Sequence, residues 1–337
     1  MKHRLRDRGE IALLEEIRRL VPAGTGVIVG PGDDAAVVRG SSRPLLLTTD
    51  ALVEGVHFRR AWLSARELGR RAFHVAASDV AAMGGRVRAV LLAIAAPADL
   101  TVAELRGLVI GVRDAAGRAG AALAGGNLAS ARELSLTVSV IGDAPARPIL
   151  RSGARPGDRV YVTGDLGGAA LGLRLLTGAR SLGGGEPARR RWRRPAARLE
   201  AGSALAAARI ATAMIDLSDG LLVDAARLCR ASGCAAELQA GQLPLAAPLR
   251  ALDRRTAVDL ALGGGEDYEL LFTVPAGKVK RLATTAFGCR VTCIGEIVRG
   301  RGVRVVDGAA SKRRKHPVGY EHPVGYEHPA GYEHFRR

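Results

Sequence analysis

Aromatic residues make up 4% of the 337 positions, and there are four cysteines. Four thiols in a chain this long build no disulfide framework. The pairs Cys229/Cys234 and Cys289/Cys293 lack the C-x2-C spacing of zinc sites, so buried or incidental thiols are expected. Long apolar runs are missing too. The longest, 89–96, stops at Pro97, well short of the roughly 18 residues that cross a bilayer. The charged N-terminus has no signal-peptide h-region, because the apolar residues 11–14 run straight into Glu15 and Glu16. A cytoplasmic protein without membrane association is expected. No G-x-x-x-x-G-K-[ST], no G-x-G-x-x-G after a strand, no protein-kinase signature and no G-x-S-x-G occurs. P-loop, Rossmann and α/β-hydrolase chemistry lose their best support.

What is present is a globular composition, 47% hydrophobic and 25% charged, in a length that suits two domains of about 150 residues each. Lys and Arg number 50 against 33 Asp and Glu, a net charge of +17, and five of the 50 are lysines. Nucleic-acid binding is the rival this charge raises. Much of the excess, however, falls in 180–198 and in the KRRK of 312–315, not on a stripe interleaved with aromatics. A solvated loop and a basic tail are expected, without a nucleic-acid partner.

Strand and helix patterns alternate along the chain, which predicts an α/β or α+β fold. Helices are expected over 9–21, over 64–82 with Ser64 and Glu67 as a capping box, and over 102–119 from Thr101. Strands are expected at 26–30, 45–48, 87–95, 121–124 and 134–141. A turn-rich stretch, 142–158, marks a domain boundary and divides the chain into 1–145, 146–310 and a tail, 311–337. The second part shows a strand at 159–163, a Gly-rich turn at 164–168 that reads equally as a phosphate-binding loop or as a tight strand-to-helix connection, a helix after it, further helices at 197–211 and 221–231, and a strand pair at 269–274 and 291–297. The tail repeats HPVGYE, HPVGYE and HPAGYE from His316, a period too short for a solenoid.

Aspartates recur at turns beside apolar runs: Asp33 and Asp34 in GDDAAVV, Asp50 in TTDALVEGVHF, Asp79 in SDVAAMGG, Asp216 and Asp219 in IDLSDGL. Glu266 and Asp267 follow in GGGEDYELLF. Each alone is a common cap or turn residue. As a set their joint use is to bind hard cations such as Mg2+, which prefers oxygen ligands and bridges carboxylates to substrate phosphates.

These motifs, with GGN at 125–127, RSGARPGD, VTGDLGG, RRPAAR and the closing GYEHF, stand in the order that resembles the thiamine-monophosphate kinase family, over about 9–310 and the last few positions. The resemblance implies ATP-dependent phosphorylation of thiamine monophosphate to thiamine diphosphate. It also implies a two-domain fold like that of aminoimidazole ribonucleotide synthetase, in a homodimer whose N-terminal strands build a shared barrel. Asp34, Thr48, Thr49, Asp50, Asp79, Asp216 and Asp219 would hold several Mg2+ ions. Gly126, Asn127, Arg151 and Ser218 would touch ATP. His57, Glu266 and a C-terminal tyrosine would face the thiamine substrate. Tyr332 has the full GYEHF context, with Tyr320 and Tyr326 as rivals. Many family members carry Asp where this chain has Asn127, which offers a carbonyl oxygen without charge. The readings kept beside this one are another ATP-dependent member, such as aminoimidazole ribonucleotide synthetase, and a basic nucleic-acid-binding protein.

Overall fold

The computed structural model describes residues 4, 10–21, 24–30, 36–179, 183, 185–283 and 285–306. They fall into two compact units, one drawn from 1–80 and 85–146, the other from 81–84 and the chain from 147 onward.

In the first unit α1 (Glu10–Leu20) precedes a small antiparallel pair, β1 (Val27–Val29) and β2 (Val37–Val38). Then come β3 (Leu45–Val53), α2 (Ala65–Ala82), β4 (Arg86–Ala96), α3 (Val102–Arg118), β5 (Ala122–Ser130) and β6 (Ser135–Asp143). The four longer strands form a sheet in the order β3-β6-β4-β5, parallel at β4/β5 and antiparallel elsewhere. Both capping boxes form: Glu67 N donates to Ser64 Oγ at 3.3 Å and Glu104 N to Thr101 Oγ1 at 3.2 Å, while each carboxylate accepts from its cap's backbone N–H. The two helices touch backbone to backbone. A Cβ on Gly69 would stand 2.1 Å from Leu108 O, and one on Gly111 2.3 Å from Arg66 O.

Period-2 alternation divides the sheet. Leu136, Val138 and Val140 of β6 are buried, while Ser135, Thr137 and Ser139 are not. Val80 of α2 packs at Gly142, which places the helical layer on the buried face. The other face carries Leu45 and Leu47 of β3 and Leu91 of β4, which are 51%, 73% and 37% exposed.

The second unit contains β7 (Arg159–Thr163), α4 (Gly168–Leu176), α5 (Gly185–Arg193), α6 (Leu199–Ala208), β8 (Ala213–Asp216), α7 (Leu221–Ser232), β9 (Ala235–Gln239), α8 (Arg254–Gly263), β10 (Leu270–Val274), α9 (Val279–Ala283), β11 (Val291–Val298) and β12 (Gly302–Val306). Six strands form one sheet, β12-β9-β11-β7-β10-β8, antiparallel except for β12/β9. Strands β7 and β10 are buried at every position but Arg159, because both faces of the sheet are covered. Val160 and Val162 join Leu228 and Ile215 in one core, while Tyr161 and Phe272, stacked at 5.7 Å, join Leu205 and Met214 in another.

Three expectations change. The strands at 269–274 and 291–297 form but do not pair with each other, because β7 lies between them. The strands β8, β9 and β12 and the helix α8 were not anticipated. The basic stretch is not a plain solvated loop: it contains α5, and Trp192 is fully buried against α4, where Gly172 leaves room for its Cβ. Within it Arg191 pairs with Asp165, Arg193 with Glu186 and Arg198 with Glu269.

Candidate functional site

In the first unit the alternation of β3 turns Thr48 and Asp50 to the same side as buried Leu52. There Thr48 Oγ1 donates to Asp79 Oδ2 at 2.5 Å. Asp50 lies inside β3 and Asp79 inside α2, so neither occupies the turn expected from sequence. Burial, and then the charge of Asp79, push the Asp50 carboxyl up to about 6. The charge of Asp79 disfavours ionisation of Asp50, and the two carboxylates with the Thr48 hydroxyl are hard oxygen donors brought together between strand and helix. That donor chemistry fits Mg2+, which is held by one or two carboxylates together with water or phosphate oxygen. Among the described residues no group of three or more His, Cys, Asp or Glu is close enough to form a full cage.

Thr49 is not brought into this set. Its hydroxyl lies on the opposite face of β3, 3.0 Å from Ser139 Oγ. Gly126 and Asn127 lie on β5, at the other edge of the sheet from β3. Three strand spacings separate these edges, about 14 Å. A Cβ on Gly126 would stand 1.8 Å from Leu92 O, so the close approach of β4 demands glycine there. His57 closes the turn after β3: its backbone N–H donates to Val53 O at 2.8 Å, and Val53 N donates to His57 Nδ1 at 3.1 Å. The acceptor role of Nδ1 selects the tautomer with its proton on Nε2. Fully buried Phe58 anchors the turn.

In the second unit Asp216 ends β8, and Ser218 and Asp219 form the turn into α7. This turn is zippered to the GGGEDYEL segment. Leu217 N donates to Glu269 O at 2.8 Å, Tyr268 N to Leu217 O at 2.9 Å, and Glu266 N to Ser218 O at 2.7 Å. Glu266 and Tyr268 adopt positive φ, 71° and 51°, a strained conformation for residues with a Cβ. Glu266 is thereby held beside Ser218. Arg151 is exposed, and its carbonyl accepts from Ser232 Oγ at 3.0 Å. Asp34 and the three tail tyrosines, Tyr320, Tyr326 and Tyr332, lie outside the described residues.

Three carboxylates behind these turns play parts that the sequence pattern does not reveal. Asp224, 1% exposed as a side chain, accepts from Asp219 N at 3.0 Å and Gly220 N at 3.2 Å, and burial pushes it up to about 6. An acid in the first turn of a helix after S-D-G was the available signal. Asp267 accepts from Gly167 N at 2.7 Å and Ala169 N at 3.3 Å, and burial pushes it up to about 7. This corrects the phosphate-loop reading of 164–168: a carboxylate of the chain already takes the N-terminus of α4. Glu269, 2% exposed, receives both Arg198 Nε and Nη2 at 2.5 Å and Thr163 Oγ1 at 2.7 Å. A Cβ on Gly164 would collide with that carboxylate at 2.0 Å.

The family model described as AIR synthase related protein, N-terminal domain, matches residues 32–144, and that of the C-terminal domain matches 155–308. The chain is 39% identical over 287 residues to the thiamine-monophosphate kinase of Mycobacterium tuberculosis (strain CDC 1551 / Oshkosh), covering 81% of this chain and 84% of the relative. It resembles the crystal structure of thiamine-monophosphate kinase from Stenotrophomonas maltophilia K279a with TM-score 0.80 at 35% identity, over 90% of this chain and 98% of that one. AaThiL complexed with AMPPCP and TMP matches with TM-score 0.71 at 34% identity, over 90% and 96%. The fold is the two-domain α/β fold of AIR synthase-like proteins. This chain belongs to the thiamine-monophosphate kinase family.

Proposed function

We propose that the chain transfers the γ-phosphoryl group of ATP directly to the phosphate of thiamine monophosphate. A phosphate oxygen of the monophosphate attacks γ-phosphorus in line, the bond to the β,γ-bridging oxygen breaks, and thiamine diphosphate and ADP result. The observation that carries this reading is the mutually repelling pair Asp50 and Asp79, with Thr48 hydrogen-bonded to one of them. Each pair of unit charges about 4 Å apart on the two substrates repels by roughly 4 kcal/mol at an effective dielectric near 20. Offsetting that repulsion is the chemistry that bound divalent cations supply. Asp34, Thr48, Thr49, Asp50 and Asp79, with Asp216 and Asp219, are the proposed ligands, Thr49 by its backbone oxygen because its hydroxyl faces Ser139.

Gly126, Asn127, Arg151 and Ser218 are assigned to ATP, and His57, Glu266 and Tyr332 to the thiamine substrate. The attacking phosphate has a second pKa near 6 and is already anionic at neutral pH, so no general base is assigned. Cytoplasmic location and a homodimer complete the proposal. The exposed leucines Leu45, Leu47 and Leu91, on the sheet face away from the helices, support pairing through that face.

Incubating the purified chain with ATP, Mg2+ and thiamine monophosphate should yield thiamine diphosphate, and Asp50→Ala should abolish it. Absence of product from the folded wild type, or a covalent phosphoprotein trapped during turnover, would overturn the reading.

A further inference from the structure

Asp219 and Asp224 share one cation, the guanidinium of Arg227. Nη1 of Arg227 lies 2.8 Å from Asp224 Oδ1 and also contacts Asp219 Oδ2. Asp224 is committed, since its other oxygen is filled by the backbone N–H groups of Asp219 and Gly220. It holds Arg227 from three residues back on α7, so the guanidinium cannot drift from the turn without breaking a buried contact. Asp219 differs: its side chain is 27% exposed and that of Arg227 40%, and its Oδ2 contacts this same guanidinium nitrogen. A ligand approaching from solvent meets the Asp219–Arg227 pair first.

We infer that Arg227 is an internal counter-cation that competes with a divalent ion for the Asp219 carboxylate and so sets the metal demand of that turn. The inference rests on the proposed role of Asp219 as a metal ligand. A hard cation binds through oxygen lone pairs, those of carboxylates among them, and a guanidinium on Oδ2 of Asp219 occupies part of that carboxylate. Its positive charge also repels the incoming ion. For charges of one and two about 6 Å apart in water, that repulsion corresponds to about a tenfold loss of affinity. Arg227 thus makes cation uptake at Asp219 an exchange of one positive group for another, with Asp224 as the fixed post on which the displaced guanidinium remains.

The test is titration of the full chain with Mn2+, with and without AMPPCP, following free Mn2+ by electron paramagnetic resonance. Arg227→Gln should keep the number of bound ions and tighten one of them about tenfold, whereas Arg227→Lys, which keeps the charge, should stay close to wild type. In an Asp219→Asn background the gain from Arg227→Gln should vanish, which is the coupling that a double-mutant cycle isolates. Unchanged or weakened Mn2+ affinity in folded Arg227→Gln overturns the inference, as does a gain that survives Asp219→Asn. Weaker AMPPCP uptake at unaltered Mn2+ affinity also overturns it and makes Arg227 a phosphate contact. Mn2+ uptake that is lost in Asp50→Asn but indifferent to Arg227 overturns this inference alone. No uptake in any variant removes the metal assignments of the proposed function as well.

Discussion

Replacing Asp50 by Asn separates what this residue does for the fold from what it does for the chemistry. Asp50 ionises at about 6 because it is buried and faces the charge of Asp79. An ordinary aspartate ionises near 3.9, and the difference amounts to a penalty of about 3 kcal/mol once the group is charged. Asp50 keeps some solvent contact, which screens the effect to about 1–2 kcal/mol. The sign follows from linkage. The folded-state value lies above the unfolded one, so the wild type is relatively most stable below about pH 4 and loses stability as pH rises through about 6. Asn cannot ionise and escapes that loss. In EDTA at pH 8, Asp50→Asn should therefore be more stable than wild type by about 1–2 kcal/mol in chemical denaturation, and the gap should narrow by pH 5. The same variant should make no thiamine diphosphate and should lose any stabilisation by Mg2+. A variant less stable than wild type at pH 8, or a gap that does not depend on pH, would refute the like-charge reading of the Asp50/Asp79 pair.

Two further changes test the framework behind the second set of turns. Glu269→Gln leaves the Arg198 guanidinium without its bidentate partner in a largely buried place, and should lower unfolding stability by about 3 kcal/mol. A loss below about 0.5 kcal/mol would show that the pair is replaceable by water. Asp267, pushed up to about 7 by burial, binds a proton in the folded chain that the unfolded chain has already released. Stability should thus fall as pH rises toward 7 and level off above it, with a slope of up to about 1.4 kcal/mol per pH unit. Asp267→Asn should flatten that slope between pH 6 and 7, as read from denaturation midpoints; an unchanged slope would refute the assignment.

Much of the first unit could be read directly from local pattern. Ser64 with Glu67 and Thr101 with Glu104 start helices because a cap is satisfied within three residues of itself. The order of the acidic motifs likewise identified the family, since that information is linear. Local reading failed where long-range packing decides. Strand β3 runs on through Asp50 to Val53 because nine successive registers with β6 hold it, although threonine and aspartate end the apolar run. Trp192 and its run of arginines form a buried-sided helix because α4 offers Gly172 as a seat. The swap of partners in the second sheet, with β7 between β10 and β11, has no trace in the spacing of the strands.

The sequence by itself determined which oxygen-bearing side chains are available, what class of cation they suit and which family arranges them in this order. Tertiary structure alone decided which of them meet: the pleat of β3 sends Asp50 and Thr48 toward Asp79 and Thr49 away from it. It also decided that Asp267 fills the end of α4 and that Arg227 stands at Asp219. A carboxylate's environment depends on groups many residues away in the chain, so its ionisation and its partners become defined only once the chain has packed.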